Sequence, residues 1–80
     1  MAYDYYKAAE AFAVLLDSEG HYELGEKIRK NLDEGFSSTE ILMGLRFTLS
    51  QTEFYNIELS SEASRMHAQL LSKLKISLVP

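Results

Sequence analysis

The segment from Gly35 to Leu49 (GFSSTEILMGLRFTL) constrains the fold of this chain more than any other, because it carries a complete helix start. Ser37 and Glu40 have the spacing of a capping box, in which the hydroxyl accepts the glutamate N–H and the carboxylate reaches back. Phe36 and Ile41 flank the cap in the positions of a hydrophobic staple. A helix is therefore predicted to begin at this cap.

This helix, predicted over residues 38–50, is apolar on two sides when its residues are placed about 100° apart. One side carries Ile41, Leu42, Leu45 and Leu49, and the other carries Met43 and Phe47. Gly44 in the middle of the helix costs about 1 kcal/mol relative to alanine, so either a neighbouring helix or the backbone of a partner is expected to approach closely there. We expect the helix to be packed on both sides at the centre of the domain.

Three more segments have helical periodicity, and together they predict one all-α domain over residues 1–80. The predicted fold is a compact bundle of four helices at about residues 3–17, 21–34, 38–50 and 61–76. The second helix has a narrow apolar stripe, and two acid–base pairs, Glu23 with Lys27 and Glu26 with Lys30, are spaced to form along its surface. The segment 51–59 (QTEFYNIEL) loses the helical period and is predicted to be a loop with aromatic anchors.

Composition and charge exclude several classes of function. The chain has 80 residues, 46% of them hydrophobic, and no cysteine, so packing alone must hold the domain together. A formal charge of -4 argues against binding to nucleic acid, whose phosphates require clustered basic residues. The longest apolar run, Ala8 to Leu16, is interrupted by Glu10 and is far shorter than the ~20 residues of a membrane span. Without the basic start of a signal peptide, the sequence predicts a cytoplasmic protein.

The residue types predict neither an enzyme nor a cofactor site. His21 and His67 are the only histidines, and neither belongs to a metal-binding pattern such as HExxH. No glycine-rich phosphate loop and no nucleophile motif is present. His67 falls on the apolar face of the last helix, where a half-buried, hydrogen-bonded side chain is expected.

Charge is unevenly distributed, and this predicts where a partner binds. Residues 31–62 contain six acidic residues and a single base, Arg46. The same region carries aromatic residues on an irregular segment, and specific interfaces combine aromatic anchors with complementary charge. The predicted partner-binding residues are Asp33, Glu34, Glu53, Phe54, Tyr55 and Glu58. The alternative is that these acids only keep a small apolar protein in solution.

Three tyrosines near the start of the chain, Tyr3, Tyr5 and Tyr6, form a dense aromatic group. They are expected either to pack over the open end of the bundle or to contact a partner. In the second case, the tyrosines and the broad apolar arc of the first helix would pair with a second copy of the chain.

The second half of the chain resembles the C-terminal half of small helical immunity proteins that bacteria pair with secreted interbacterial toxins. The similarity is greatest to the immunity family against the type VI secretion effector that hydrolyses NAD(P). It lies in the LxxGL-like helix at Leu42 to Leu45, the acidic aromatic linker at Glu53 to Glu58, the helix from Ser61, and the lysine-bearing apolar tail that closes with Leu78, Val79 and Pro80.

This resemblance implies a stoichiometric inhibitor that occludes the active site of a toxin's C-terminal domain, without cofactor and without turnover. The sequence therefore leaves two hypotheses open. The first is an immunity protein that binds a cognate toxin domain, and the second is a small helical adaptor or homodimerisation module.

Overall fold

The domain is an all-α bundle, as predicted. A computed structural model describes residues 3–51 and 53–78, with side chains described as far as residue 76. The helices in these ranges are α1 (Tyr5–Ser18), α2 (Tyr22–Glu34), α3 (Ser38–Leu49), α4 (Glu53–Asn56) and α5 (Ser61–Leu78). The four long helices match the predicted ones within about two residues at each end, whereas α4 is a single turn inside the segment predicted as a loop. Val79 and Pro80 of the predicted tail lie outside the described residues.

The helix starts follow from local side chains. The side chain of Asp4 accepts the N–H of Lys7 at 3.0 Å and caps α1. Ser37 Oγ accepts the N–H of Glu40 at 3.2 Å, and Glu40 Oε2 accepts the N–H of Phe36 at 3.1 Å. This reciprocal arrangement confirms the predicted capping box. The predicted staple is wrong, because Phe36 is exposed to solvent instead of packing on the helix.

The core lies where the four long helices meet. Helix α1 packs against α2 and α5, and α3 packs against the same two helices from another side. The largest fully buried side chains are Phe12, Leu16, Ile28, Leu45, Leu49, Leu70 and Leu74. Because every long helix contributes to this one cluster, the described residues form a single packed unit.

Helix α3 is packed on one side only, so the prediction that it is covered on both sides is wrong. Leu45 and Leu49 are buried, but Met43 and Phe47 point outward. Helices α2 and α5 cover the inner side of α3, and no third helix in the described residues reaches the outer side. The close approach predicted at Gly44 is confirmed, because the side chain of Asn31 on α2 lies where a Cβ would stand.

Gly20 sets the turn between α1 and α2 and gives a first prediction. Its φ is +87°, a left-handed conformation that L side chains rarely adopt, and nothing lies within 4 Å of the position that a Cβ would take. We expect Gly20→Ala to lower the free energy of unfolding by about 1 kcal/mol, because alanine is strained at this φ. Gly20→Asn should cost less, since asparagine tolerates this conformation. Urea unfolding followed by circular dichroism measures both, and an equal loss would contradict the explanation.

Candidate functional site

The six predicted partner-binding residues are distributed over different parts of the surface. Asp33 lines a groove between α1 and α2 together with Tyr6 and Arg29. Glu53 lines a second groove, between α4 and the turn that follows α1, and Tyr55 lines a third, against α5. Glu34 at the end of α2 and Glu58 after α4 are both exposed.

Phe54 is a core residue, which corrects its prediction as a surface anchor. Its side chain is only 3% exposed. The ring stacks on His67 with centroids 5.2 Å apart and planes 18° apart, and it lies 6.1 Å from the ring of Phe12. The single turn of α4 points Phe54 inward and the next residue, Tyr55, outward. An aromatic pair on an irregular segment does not indicate in advance which ring is buried.

Glu53 contributes less free negative charge than the sequence suggests. Its carboxylate binds Lys27 Nζ on α2 at 2.6 Å, so Lys27 pairs across the bundle and not with Glu23 along its own helix. Both side chains remain nearly half exposed, and such a pair contributes at most about 1 kcal/mol. The pair links α4 to α2 and offsets the charge of Glu53.

The charges beside Asp33 are also engaged within the molecule. Arg29 donates to Asp17 at 2.8 Å and to Glu26 at 3.0 Å. Hydrogen bonds to Asp17 and then Glu26 raise the pKa of the Arg29 guanidinium above its ordinary value. Because Arg29 is already paired with Asp17 and Glu26, the main charged group that this groove offers to a partner is the exposed carboxylate of Asp33.

Tyr55 is the predicted residue that best fits an anchor for a partner. Its side chain is 62% exposed. One edge of its ring nevertheless lies against His67, with centroids 5.5 Å apart and planes 85° apart. The groove beside it is lined by Leu71, Ser72, Lys75 and Ile76 of α5, and Ile76 is also exposed. We call this the Tyr55 surface.

His67 lies at the base of the Tyr55 surface. The side chain is buried, and Nε2 lies 2.8 Å from the carbonyl oxygen of Leu49, to which it donates. This bond joins α5 to the end of α3 and holds the imidazole between Phe54 and Tyr55. The expected hydrogen-bonded histidine is confirmed, although it is more deeply buried than the expected half.

The predicted partner-binding residues do not include a second exposed apolar surface, which lies on and beside α3. Phe36, Met43 and Phe47 are 96%, 57% and 70% exposed. A shallow groove along the outer face of α3 is lined by Thr39, Met43, Arg46, Phe47 and Ser50, and Phe36 lies just before the cap of this helix. The helical projection does separate Met43 and Phe47 from the leucines of α3. It does not show how many neighbouring helices cover α3, and so it could not identify which side is exposed.

The tyrosines near the start of the chain pack over the ends of α1 and α5. The hydroxyl of Tyr5 donates a hydrogen bond to the carbonyl oxygen of Lys73 at 3.2 Å. The rings of Tyr5 and Tyr3 form a T-shaped contact with their centroids 4.9 Å apart. The ammonium of Lys73 lies 5.5 Å from the centre of the Tyr3 ring. Burial, and then the proximity of Tyr5, raise the pKa of the Tyr3 hydroxyl. Tyr6 remains exposed.

Three further findings concern metal binding, membrane crossing and similarity to known proteins. Within the described residues, no group of three or more histidine, aspartate or glutamate side chains is placed to hold a metal ion. None of the helices in that part of the chain combines the length and hydropathy needed to cross a bilayer. Comparisons with protein families, with curated proteins and with solved structures give no match.

Proposed function

We propose that this chain is a non-catalytic binding protein of the immunity type, which neutralises a bacterial toxin domain by covering the toxin's active site. The observation that carries the proposal is Tyr55, because its ring is open to a partner yet already held against His67. An aromatic side chain fixed in this way loses little conformational entropy on binding. Tyrosine is therefore frequent among the residues that dominate binding energy.

The surroundings of Tyr55 support a protein as the ligand. Ile76 adds a second exposed apolar side chain, and Ser72 and Lys75 provide polar groups at the edge. Protein interfaces combine an apolar centre with a polar rim in this manner. The formal charge of -4 favours a basic partner, because opposite charges accelerate the encounter of two proteins.

The class of partner that we propose, the C-terminal domain of a bacterial toxin, rests on the resemblance of residues 40–80 to immunity proteins. It implies an inhibitor that acts in the cytoplasm without a cofactor, and the toxin bound by the most similar immunity family hydrolyses NAD(P). The alternative function is a small helical adaptor or homodimerisation module. The outer face of α3 favours this alternative, because a second exposed apolar surface gives the chain another place to bind.

The decisive experiment uses the C-terminal domain of the protein encoded directly upstream of this chain. Expressed alone in a bacterial host, that domain is expected to stop growth and to deplete NAD(P). Co-expression of this chain is expected to restore both, with a dissociation constant for the purified pair in the nanomolar range or below, about -12 kcal/mol or stronger. A harmless upstream domain, or one that this chain does not neutralise, would contradict the immunity function.

Tyr55→Ala tests the surface. We expect it to raise the dissociation constant at least about 30-fold, since a tyrosine anchor contributes roughly 2 kcal/mol or more. Tyr22→Ala is the matched control, because Tyr22 is equally exposed but lines the groove on the far side of α4. Calorimetric titration of the purified domains measures both variants. If the two variants bind equally well, the Tyr55 surface is not the interface.

A further inference from the structure

The Tyr55 surface differs in charge from the chain as a whole. The formal charge of the chain is -4, but residues 63–76 of α5 include Arg65, Lys73 and Lys75 and no acidic residue. Among the described residues that line the groove beside Tyr55, Lys75 is the only lysine or arginine, and no aspartate or glutamate is present. The groove therefore has a local charge opposite to the net charge of the chain.

The ammonium group of Lys75 is available to a partner. Its side chain is exposed, and none of the ion pairs formed within residues 3–51 and 53–76 includes it. Lys73, two residues earlier on α5, is instead turned toward Tyr3, with its ammonium 5.5 Å from the centre of that ring. A carboxylate that a partner brings to the groove gains a pair with Lys75, whereas a basic group is repelled.

The shape of the groove matches a helix. Ala68 lies at the end where His67 contacts Tyr55, and its small side chain leaves room there for a large one of a partner. The groove follows α5 from this point for about 12 Å, which is two helical turns. The residues that α5 contributes have the spacing of a single helical face, and they are Ala68, Leu71, Ser72, Lys75 and Ile76.

An extended segment of a partner would find little to bind in this groove. A segment that joins a protein as a strand needs unpaired N–H and C=O groups along the edge of a sheet. The described residues contain no strand, and the backbone groups in the middle of α5 are bonded within the helix. A helix satisfies its own backbone groups and presents only side chains to an apolar groove.

We propose that the Tyr55 surface binds a helix of the partner. This helix places a large apolar side chain over Ala68, against Tyr55, and an aspartate or glutamate about two turns away, at Lys75. The inference rests on the proposed function in taking the Tyr55 surface as the interface, but it does not require the partner to be a toxin. The net charge of -4 attracts a basic partner at long range, whereas the groove selects an acidic side chain at the contact.

Calorimetric titration with the domain encoded upstream is the first test. Lys75→Glu should raise the dissociation constant at least about tenfold, because repulsion replaces attraction. Ala68→Trp should raise it at least as much, because the indole fills the groove without a change of charge. Lys73→Glu is the matched control, since it changes the net charge equally but lies outside the groove, and its dissociation constant should stay within about threefold of the wild-type value.

Urea unfolding followed by circular dichroism confirms that the variants are folded during the titration. All three positions are exposed, so each variant should retain the bundle. The check matters most for Lys75, because it lies in the last turn of α5, where a positive charge also favours the helix.

A second measurement does not need the upstream domain. A displayed library, in which the surface of one helix of a small helical scaffold is randomised, is selected on the wild-type chain. Clones that no longer bind the Ala68→Trp variant are then sequenced. They should carry an aspartate or glutamate about seven positions from a large apolar residue, and selection on Lys75→Glu should place lysine or arginine there instead.

The two measurements separate this inference from the immunity function. An upstream domain that the wild type does not bind contradicts the immunity function, and the library then decides the inference alone. If the domain binds but Lys75→Glu weakens it no more than Lys73→Glu does, the inference is wrong. It is also wrong if no clone depends on Ala68, or if the clones that do show no preference for an acidic residue.

Discussion

Phe12→Ala is expected to lower the free energy of unfolding by about 3–5 kcal/mol, the largest change of any substitution considered for this chain. The ring of Phe12 is fully buried and lies 6.1 Å from the rings of both Phe54 and His67, so it joins α1 to α4 and α5 at one point. Truncation removes the apolar contact area and leaves a cavity that the helices close only in part. A domain of 80 residues is stable by roughly 4–12 kcal/mol, so this loss is a large fraction of the total.

Urea unfolding followed by circular dichroism measures this effect, and Val14→Ala is its matched control. Val14 lies two residues further along α1 and is exposed. Its truncation should change stability by no more than about 0.5 kcal/mol, as is usual for surface positions. A loss below about 1 kcal/mol for Phe12→Ala, or equal losses for both variants, would show that the contact of α1, α4 and α5 is not the centre of the core.

The four long helices could be predicted from the sequence because their signals are local. The capping box at Ser37 and Glu40 acts within one helical turn, and its hydrogen bonds form as the residue spacing requires. The apolar stripe of α2 likewise predicts the buried Leu24 and Ile28. Gly44 identified a close helix contact, since a mid-helix glycine is costly unless something uses the space.

The candidate surfaces could be predicted only in part, because exposure depends on neighbours distant in sequence. Phe54 and Tyr55 are adjacent, aromatic and flanked by the same acids, yet one is buried and the other exposed. The difference is set by α4 and by its contact with His67, 13 residues later than Phe54. The ion pair between Lys27 and Glu53 was likewise not predictable from spacing along α2.

On the outer face of α3, the sequence predicted burial for side chains that are exposed in the structure. The helical projection separated Met43 and Phe47 from Leu45 and Leu49, and this separation is present in the structure. The conclusion that both sides are covered assumed a third neighbouring helix, whereas α2 and α5 both contact the inner side. Because α2 and α5 lie on the same side of α3, one of the two apolar sides of this helix is exposed in the structure.

His67→Leu is expected to lower the free energy of unfolding by about 2–4 kcal/mol. Leucine fills most of the space but cannot donate to the Leu49 carbonyl, which then loses its partner next to the core. An unpaired buried polar group costs about 1–3 kcal/mol, and the loss of the contacts with Phe54 and Tyr55 adds to that. If the proposed toxin binding uses Tyr55, the same substitution should also weaken that binding, because it removes the ring that Tyr55 contacts.

His67→Gln separates the hydrogen bond from the shape of the ring. The glutamine amide can donate from nearly the position of Nε2, so this variant should recover at least about 1 kcal/mol relative to His67→Leu. Gln69→Leu, at an exposed position on the same helix, controls for added hydrophobicity and should change stability by about 0.5 kcal/mol or less. Urea unfolding measures all three variants. If glutamine and leucine are equally destabilising at residue 67, the hydrogen bond to Leu49 contributes nothing, and the imidazole acts through packing alone.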